Sequence, residues 1–230
     1  VSFNWIIGTA PIIPISDDFN PETTPQAFWR FYDPYAVSGP PEAESTLSMT
    51  GTNANIEVPG GYSHDLWSGA QNLAPRLLQA ANDEDLTIEV KFESLPTAQY
   101  QLQGIIFQQT DNIFLRFGNY YAGGSPKLFV AFINGTSNSQ KLNLDISGAS
   151  IPIYLKVERT DDTWVYSYSY DGITWTEAVT FDQAMTVTEV GIYGGNHDPN
   201  PAFTTSADYF MNHEDPIVDT DVPALTPPNI

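Results

Sequence analysis

The feature that most constrains this chain is the alternation Leu86-Thr87-Ile88-Glu89-Val90-Lys91-Phe92-Glu93. Leu86, Ile88, Val90 and Phe92 fall on one face and the polar residues on the other, which is the period of a half-buried β-strand. Comparable short runs recur between turn residues. Runs 45–50 and 54–59 are joined by Gly51-Thr52-Asn53, and 100–109 and 112–121 flank Thr110-Asp111 as a hairpin. Runs 127–134 and 140–146 follow, then 153–159 and 164–170 around Thr160-Asp161-Asp162. Asp171-Gly172 turns the chain into 174–180, and 187–194 and 205–212 close the series. Only 74–82 is ambiguous, and Pro75 favours a strand there. No stretch sustains a helical period. Many short strands at regular spacing predict an all-β fold, a two-sheet antiparallel β-sandwich of jelly-roll type.

At 230 residues with 41% hydrophobic side chains, the chain can build a large all-β core. The compact domain is expected over 16–213. Residues 1–15 read as a linker or the tail of a preceding domain, and 214–230 as a Pro/Asp-rich linker. With no initiator Met and no signal-peptide pattern, the chain is read as part of a longer protein with covalently linked neighbouring domains. Secretion or display on a bacterial surface is the expected location. No run of 18 apolar residues is present, so no membrane insertion is expected. Cysteine is absent, which removes disulfide, thiolate and Cys-zinc chemistry. A net charge of −20, from 28 acidic and 8 basic residues, disfavours nucleic acid and anionic membranes as partners.

The segment Gly61-Tyr62-Ser63-His64-Asp65-Leu66-Trp67-Ser68-Gly69, running on through Asn72 to Arg76, concentrates side chains that can hold a ligand. Trp67 offers a flat apolar face, while His64, Asp65, Asn72 and Arg76 offer donors and acceptors around it. A stacking platform with a few placed polar groups suits a sugar ring. The alternative is a loop whose Trp67 plugs the core edge and whose Arg76 pairs with Asp65. If the hairpin 100–121 belongs to a curved sheet, Leu102, Ile106, Leu115 and Phe117 point to the core. Gln101, Gln103, Phe107, Phe114 and Arg116 then line a cleft on the opposite face. Equally, a loop could cover Phe107 and Phe114 while Gln101 and Gln103 satisfy backbone groups. Tyr120 and His197, the latter in Gly194-Gly195-Asn196-His197-Asp198, complete the expected ligand-binding set. Trp29, Phe31 and Trp164 read as core residues, and Trp5 as part of the linker packing.

Several further elements carry a family likeness: Asp17-Asp18-Phe19-Asn20, Phe28-Trp29-Arg30-Phe31-Tyr32-Asp33-Pro34, Gly104-Ile105-Ile106-Phe107 and Asn112-Ile113-Phe114-Leu115-Arg116-Phe117. Tyr154-Leu155-Lys156-Val157-Glu158-Arg159, Tyr168-Ser169-Tyr170-Asp171-Gly172 with Trp175, Val190-Gly191-Ile192-Tyr193 and Ala207-Asp208-Tyr209-Phe210 follow in order. Together they resemble the concanavalin A-like lectin/glucanase superfamily. Nearest are its lectin-like, laminin G-like modules appended to β-xylosidases and found in bacterial surface proteins. The resemblance implies a polysaccharide or oligosaccharide as partner. It also implies a structural Ca²⁺ held by Asp208 with Asp17 or Asp18, the oxygen ligands a hard cation takes. A solvated Asp near a strand end is the plain alternative.

Glucanases of that superfamily carry acid and nucleophile on alternate residues of one strand, because retaining cleavage needs carboxyls about 5–5.5 Å apart. Here Glu89 and Glu93 share a face with Lys91 between them, a pattern of solvated surfaces. The leading expectation is therefore a non-catalytic carbohydrate-binding module. A jelly-roll polysaccharide lyase is the enzymatic alternative, drawing on Gln101, Gln103, Arg116, Tyr120, Tyr121, His64 and His197. A structural or adhesive spacer domain is the third reading.

Overall fold

A computed structural model describes residues 12–217. Its strands are β1 (Arg30–Tyr32), β2 (Thr46–Met49), β3 (Ala54–Val58), β4 (Arg76–Ala80), β5 (Leu86–Phe92), β6 (Gln101–Thr110) and β7 (Ile113–Ala122). These are followed by β8 (Ser125–Asn134), β9 (Ser137–Asp145), β10 (Ile153–Thr160), β11 (Thr163–Ser169), β12 (Thr176–Asp182), β13 (Glu189–Asn196) and β14 (Phe203–Asn212). The one α-helix among the described residues is the short α1 (Pro34–Ser38), begun by the Asp33 carboxylate accepting from Tyr35 N. Two seven-stranded antiparallel sheets form, in the orders β1-β4-β13-β6-β7-β8-β9 and β12-β11-β10-β5-β14-β3-β2. The all-β, two-sheet sandwich read from the alternation is the observed fold.

The core lies between the sheets. Ile88, Val90 and Phe92 from β5 belong to one buried cluster with Ile105, Phe107, Phe117 and Trp164. The ring of Trp164 packs edge-on against Phe107, with centroids 5.1 Å apart. Its indole N–H is satisfied by the Gln183 carbonyl at 2.9 Å. Trp29 sits against Phe210 and donates to Asp17 Oδ2 at 2.7 Å. Both tryptophans are thus core residues with their single donors paired.

Residues 12–15 are tied to the sandwich. Asn82 N donates to the Ile12 carbonyl, Asn212 Nδ2 to that of Pro14, and the Gln79 amide exchanges two bonds with the Ile15 backbone. Residues 1–11 and 218–230, including Trp5 and most of both expected linkers, lie outside the described residues.

The hairpin β6–β7 departs from expectation in a way that sets up the site. The turn is Asp111-Asn112, Thr110 pairs with Ile113, and the register shifts at Gln109 so that Gln108 pairs with Phe114. One extra residue reverses which side chains point inward. Gln101, Gln103, Ile105 and Phe107 consequently face the core side. Leu102, Ile106 and Gln108 join Phe114, Arg116 and Tyr120 on the outer face of the sheet. The expected orientation holds for β7 and is inverted for β6.

That outer face is not bare. Leu66, Ala74, Leu78, Leu102, Ile106, Phe114, Phe129, Ala131, Ile133 and Tyr193 form a second buried apolar cluster. Tyr193 lies beside two glycines in register, opposite Gly104, which is in turn opposite Gly118. A Cβ at Gly118 would stand 2.4 Å from the Tyr193 hydroxyl and 2.1 Å from the Gln103 carbonyl oxygen. Gly118→Ala is expected to cost about 1–3 kcal/mol by overpacking, read as a lower urea midpoint at unchanged slope.

Candidate functional site

The second apolar cluster exists because the segment between β3 and β4 folds back across the outer face. Leu66 and Asn72 bridge, and the Asp65 carbonyl accepts from the amides of Leu73 and Ala74. Asp65 Oδ1 accepts from Leu66 N at 2.8 Å and from Arg116 Nη1 at 3.4 Å, while Arg116 Nη1 also donates to the Leu66 carbonyl. The guanidinium lies 4.7 Å from the Phe129 ring centroid and 5.5 Å from that of Trp67. Both partners of this ion pair are largely buried, with side-chain exposures of 6% and 14%. A cation so placed needs its carboxylate, because an unpaired buried charge is strongly destabilising.

A third wall comes from the turn after β13. His197 N donates to the Tyr100 carbonyl, its Nδ1 is 3.1 Å from Ser63 Oγ, and the same atom is 3.9 Å from Asp65 Oδ2. These pieces enclose a cleft of about 320 Å³ lined by Asp65, Trp67, Gln71, Tyr100, Leu102, Arg116, Tyr120, Phe129 and His197. Its rings form a continuous arc: Trp67 to Phe129 at 5.9 Å, Phe129 to Tyr120 at 5.4 Å, Tyr120 to Tyr100 at 6.4 Å and Tyr100 to His197 at 5.7 Å. Tyr193, in the apolar cluster beside it, has its pKa pushed up to about 12 by burial, with nearby Arg116 opposing. Its phenol is therefore a neutral hydroxyl at physiological pH.

Asp65, Trp67, Arg116, Tyr120 and His197 thus converge as the sequence reading places them, although the guanidinium partner of Asp65 is Arg116 rather than Arg76. Of the other residues expected there, Phe107 lies in the inter-sheet core and Phe114 is fully buried in the second cluster, and four polar residues do not face the cleft either. His64 is fully buried, with Nε2 2.7 Å from the Ala43 carbonyl oxygen and Nδ1 3.1 Å from that of Tyr62. Arg76 is also buried, between the rings of Tyr32 and Phe114, and bonds Gln108 and Asn72. Burial lowers its pKa to about 10, which leaves it charged at neutral pH. Gln101 Oε1 accepts from the amides of Thr97 and Ala98, and its Nε2 donates to the Ala202 carbonyl. Gln103 exchanges two bonds with Ser94. The bulge at Gln109 is the reason for both glutamines: it turns them away from Arg116 and onto backbone groups.

Cleft residues that sequence reasoning missed are Gln71, Tyr100, Leu102 and Phe129. Phe129 sits in Leu128-Phe129-Val130-Ala131, an apolar run buried on both faces, where periodicity cannot assign a side. Tyr100 adopts φ +59°, a left-handed conformation that costs a non-glycine residue about 1–3 kcal/mol. No local residue pattern signals it.

Among the described residues no three of His, Asp and Glu are arranged to hold a metal ion. Asp208 accepts from Lys91 Nζ at 3.0 Å, Asp17 from Trp29 and Phe19 N, and Asp18 from Asn20 N. Calcium at these positions remains a proposal carried by the resemblance. Glu89 and Glu93 lie on the outer face of the other sheet, where Lys91 contacts Glu93 and Glu89 bonds Tyr209 and His213.

A family model spans residues 44–201, which include every cleft residue. The chain belongs to the DUF1349 family, described as a protein of unknown function. Other proteins are similar to it in sequence or in fold. A xylan 1,3-beta-xylosidase of a Vibrio species is 27% identical over 140 residues, which are 60% of this chain and 25% of that protein. The chain therefore spans about a quarter of that relative. Among solved structures, the GH43 protein BlXynB of Bacillus licheniformis superposes with TM-score 0.65 at 18% identity, over 86% of this chain and 38% of that one. A xylan beta-1,4-xylosidase from Bacillus halodurans gives TM-score 0.66 at 14% identity, over 90% and 41%. A functionally unknown protein from Saccharomyces cerevisiae gives 0.64 at 14%, over 84% and 98%. These likenesses establish a fold that occurs in carbohydrate-active proteins.

Asp65→Ala should lower stability by about 3 kcal/mol, because it strands the Arg116 charge. Adding Arg116→Leu to that variant should restore part of the loss. Urea denaturation of the two variants measures both.

Proposed function

We propose that this domain is a non-catalytic, lectin-like carbohydrate-binding module that holds a neutral polysaccharide in the cleft beside Trp67. The observation carrying this reading is the aromatic arc from Trp67 to Tyr100 with the Asp65–Arg116 pair set into it. Rings cover the C–H face of a sugar while a carboxylate and a guanidinium bond its hydroxyls. Of the Arg116 nitrogens only Nη1 is engaged by the described residues, which leaves Nη2 donors for a ligand.

Charge supports a neutral glycan. Each of the eight Lys and Arg side chains lies against a carboxylate or an aromatic ring, so no basic surface is assembled for a polyanion. One xylosidase similar in sequence and one similar in fold make β-linked xylan the first polysaccharide to test. Covering about 60 Å² of sugar on Trp67 contributes roughly 1.5 kcal/mol at ~25 cal/mol per Å². That is about one decade of affinity. Such modest binding suits a module linked to other domains in a secreted or cell-surface bacterial protein, where multivalency raises the effective grip.

A second reading, a polysaccharide lyase, draws on Arg116, His197, Tyr100 and Tyr120 sharing the cleft. It is the weaker one, since Asp65 already neutralises the guanidinium that would have to stabilise an enolate. Ultraviolet absorbance of unsaturated product from a polyuronate would reveal it.

In native gels containing β-1,3- or β-1,4-xylan, the domain should be retarded, and Trp67→Ala should run as in a gel without polysaccharide. Unretarded wild-type protein across neutral polysaccharides would favour the spacer reading. Unchanged retardation of Trp67→Ala would take the indole out of the site.

A further inference from the structure

Tyr100 packs its ring against Tyr120 and His197 at the edge of the cleft. Its backbone is held at φ +59°, where a glycine or asparagine would be at ease. Two hydrogen bonds fix it there: Tyr100 N to the Tyr121 carbonyl at 2.7 Å and His197 N to the Tyr100 carbonyl at 2.9 Å. Gln101 fastens the preceding turn through Thr97 N and Ala98 N, both at 2.9 Å. The result is a half-buried phenol ring parallel to that of Tyr120, with an interplanar angle of 5°, at the far end of the cleft from Trp67. Backbone held in such a region clusters at binding and active sites.

We infer that Tyr100, with Tyr120, is a second ring-binding station, so that the cleft takes a neutral disaccharide unit rather than a single sugar. This rests on the carbohydrate reading above. Trp67 and Phe129 receive one pyranose and Tyr100 and Tyr120 the next. Asp65 and Arg116 lie along the same cleft wall, placed to bond hydroxyls near the linkage. The class of ligand is a β-linked chain of neutral pyranoses whose consecutive rings each present an apolar C–H face. Tyr100 is thereby a residue that sets the length of chain recognised.

Isothermal titration with xylose, xylobiose and xylotriose, in both the β-1,3 and β-1,4 series, tests this. For the wild type, affinity should rise about tenfold from one ring to two, the worth of one further stacked ring. It should rise less than about threefold from two to three. In Tyr100→Ala the first step should vanish, and Tyr100→Phe should restore it. Tyr100→Gly should match Tyr100→Ala in affinity yet melt at a higher temperature, since it relieves the positive φ. A full tenfold step retained in Tyr100→Ala, or equal wild-type affinity for one and two rings, overturns the inference and leaves the carbohydrate reading standing. Failure of the wild type to bind any of these sugars overturns the inference, and the carbohydrate reading falls with it if neutral polysaccharides also leave the domain unretarded.

Discussion

A cation on the outer face of a sheet, covered and paired, determines most of what this molecule presents. Arg116 leaves β7 on the side away from the core and is nevertheless buried, so its charge must be matched by the protein. The match comes from Asp65 and the Leu66 carbonyl, both on the segment that folds back from β3 to β4. The pair pins that segment to the sheet and brings Leu66 onto Leu102, Ile106 and Phe129, which closes a second apolar cluster. Trp67 follows in sequence and lands over the guanidinium. The cleft is the space left where the fold-back ends and the outer face of β6 to β8 continues.

The strands were legible because one-sided burial writes a period of two into the sequence. β5 shows it residue by residue, with Ile88, Val90 and Phe92 inward and Glu89 and Lys91 outward. That signal decays in β6 to β8, where both faces of the sheet are covered and polar side chains such as Gln101, Gln103 and Arg116 are buried along with the apolar ones. A single inserted residue then decides the faces. Gln109 does so in β6, and it converts Gln101 and Gln103 from expected cleft residues into ties for the Thr97 amide and for Ser94.

Residues singled out for their chemistry divide along a physical line. Asp65, Trp67, Arg116, Tyr120 and His197 line the cleft, whereas His64, Arg76, Gln101 and Gln103 hold the loops that form its walls. Residue type marks the neighbourhood of such a cleft, because loops folded onto a sheet need buried polar groups to satisfy their backbone. It does not separate a side chain that faces solvent from one that braces the loop beneath. Tyr100 shows the converse: its placement depends on a backbone conformation that tertiary bonds impose, so the residue is silent in sequence and prominent in structure.

We propose that a sugar occupies the cleft between Trp67 and Tyr100. The most direct measurement is a ¹H–¹⁵N correlation spectrum recorded while β-linked xylo-oligosaccharide is added. The indole resonance of Trp67, the side-chain resonances of Arg116 and the amides around Tyr100 and His197 should move together along one saturating curve. The indoles of Trp29 and Trp164, sealed in the core on the other side of the sheet, should stay fixed. Saturating shifts confined to another surface, with the Trp67 indole unmoved, would contradict the account.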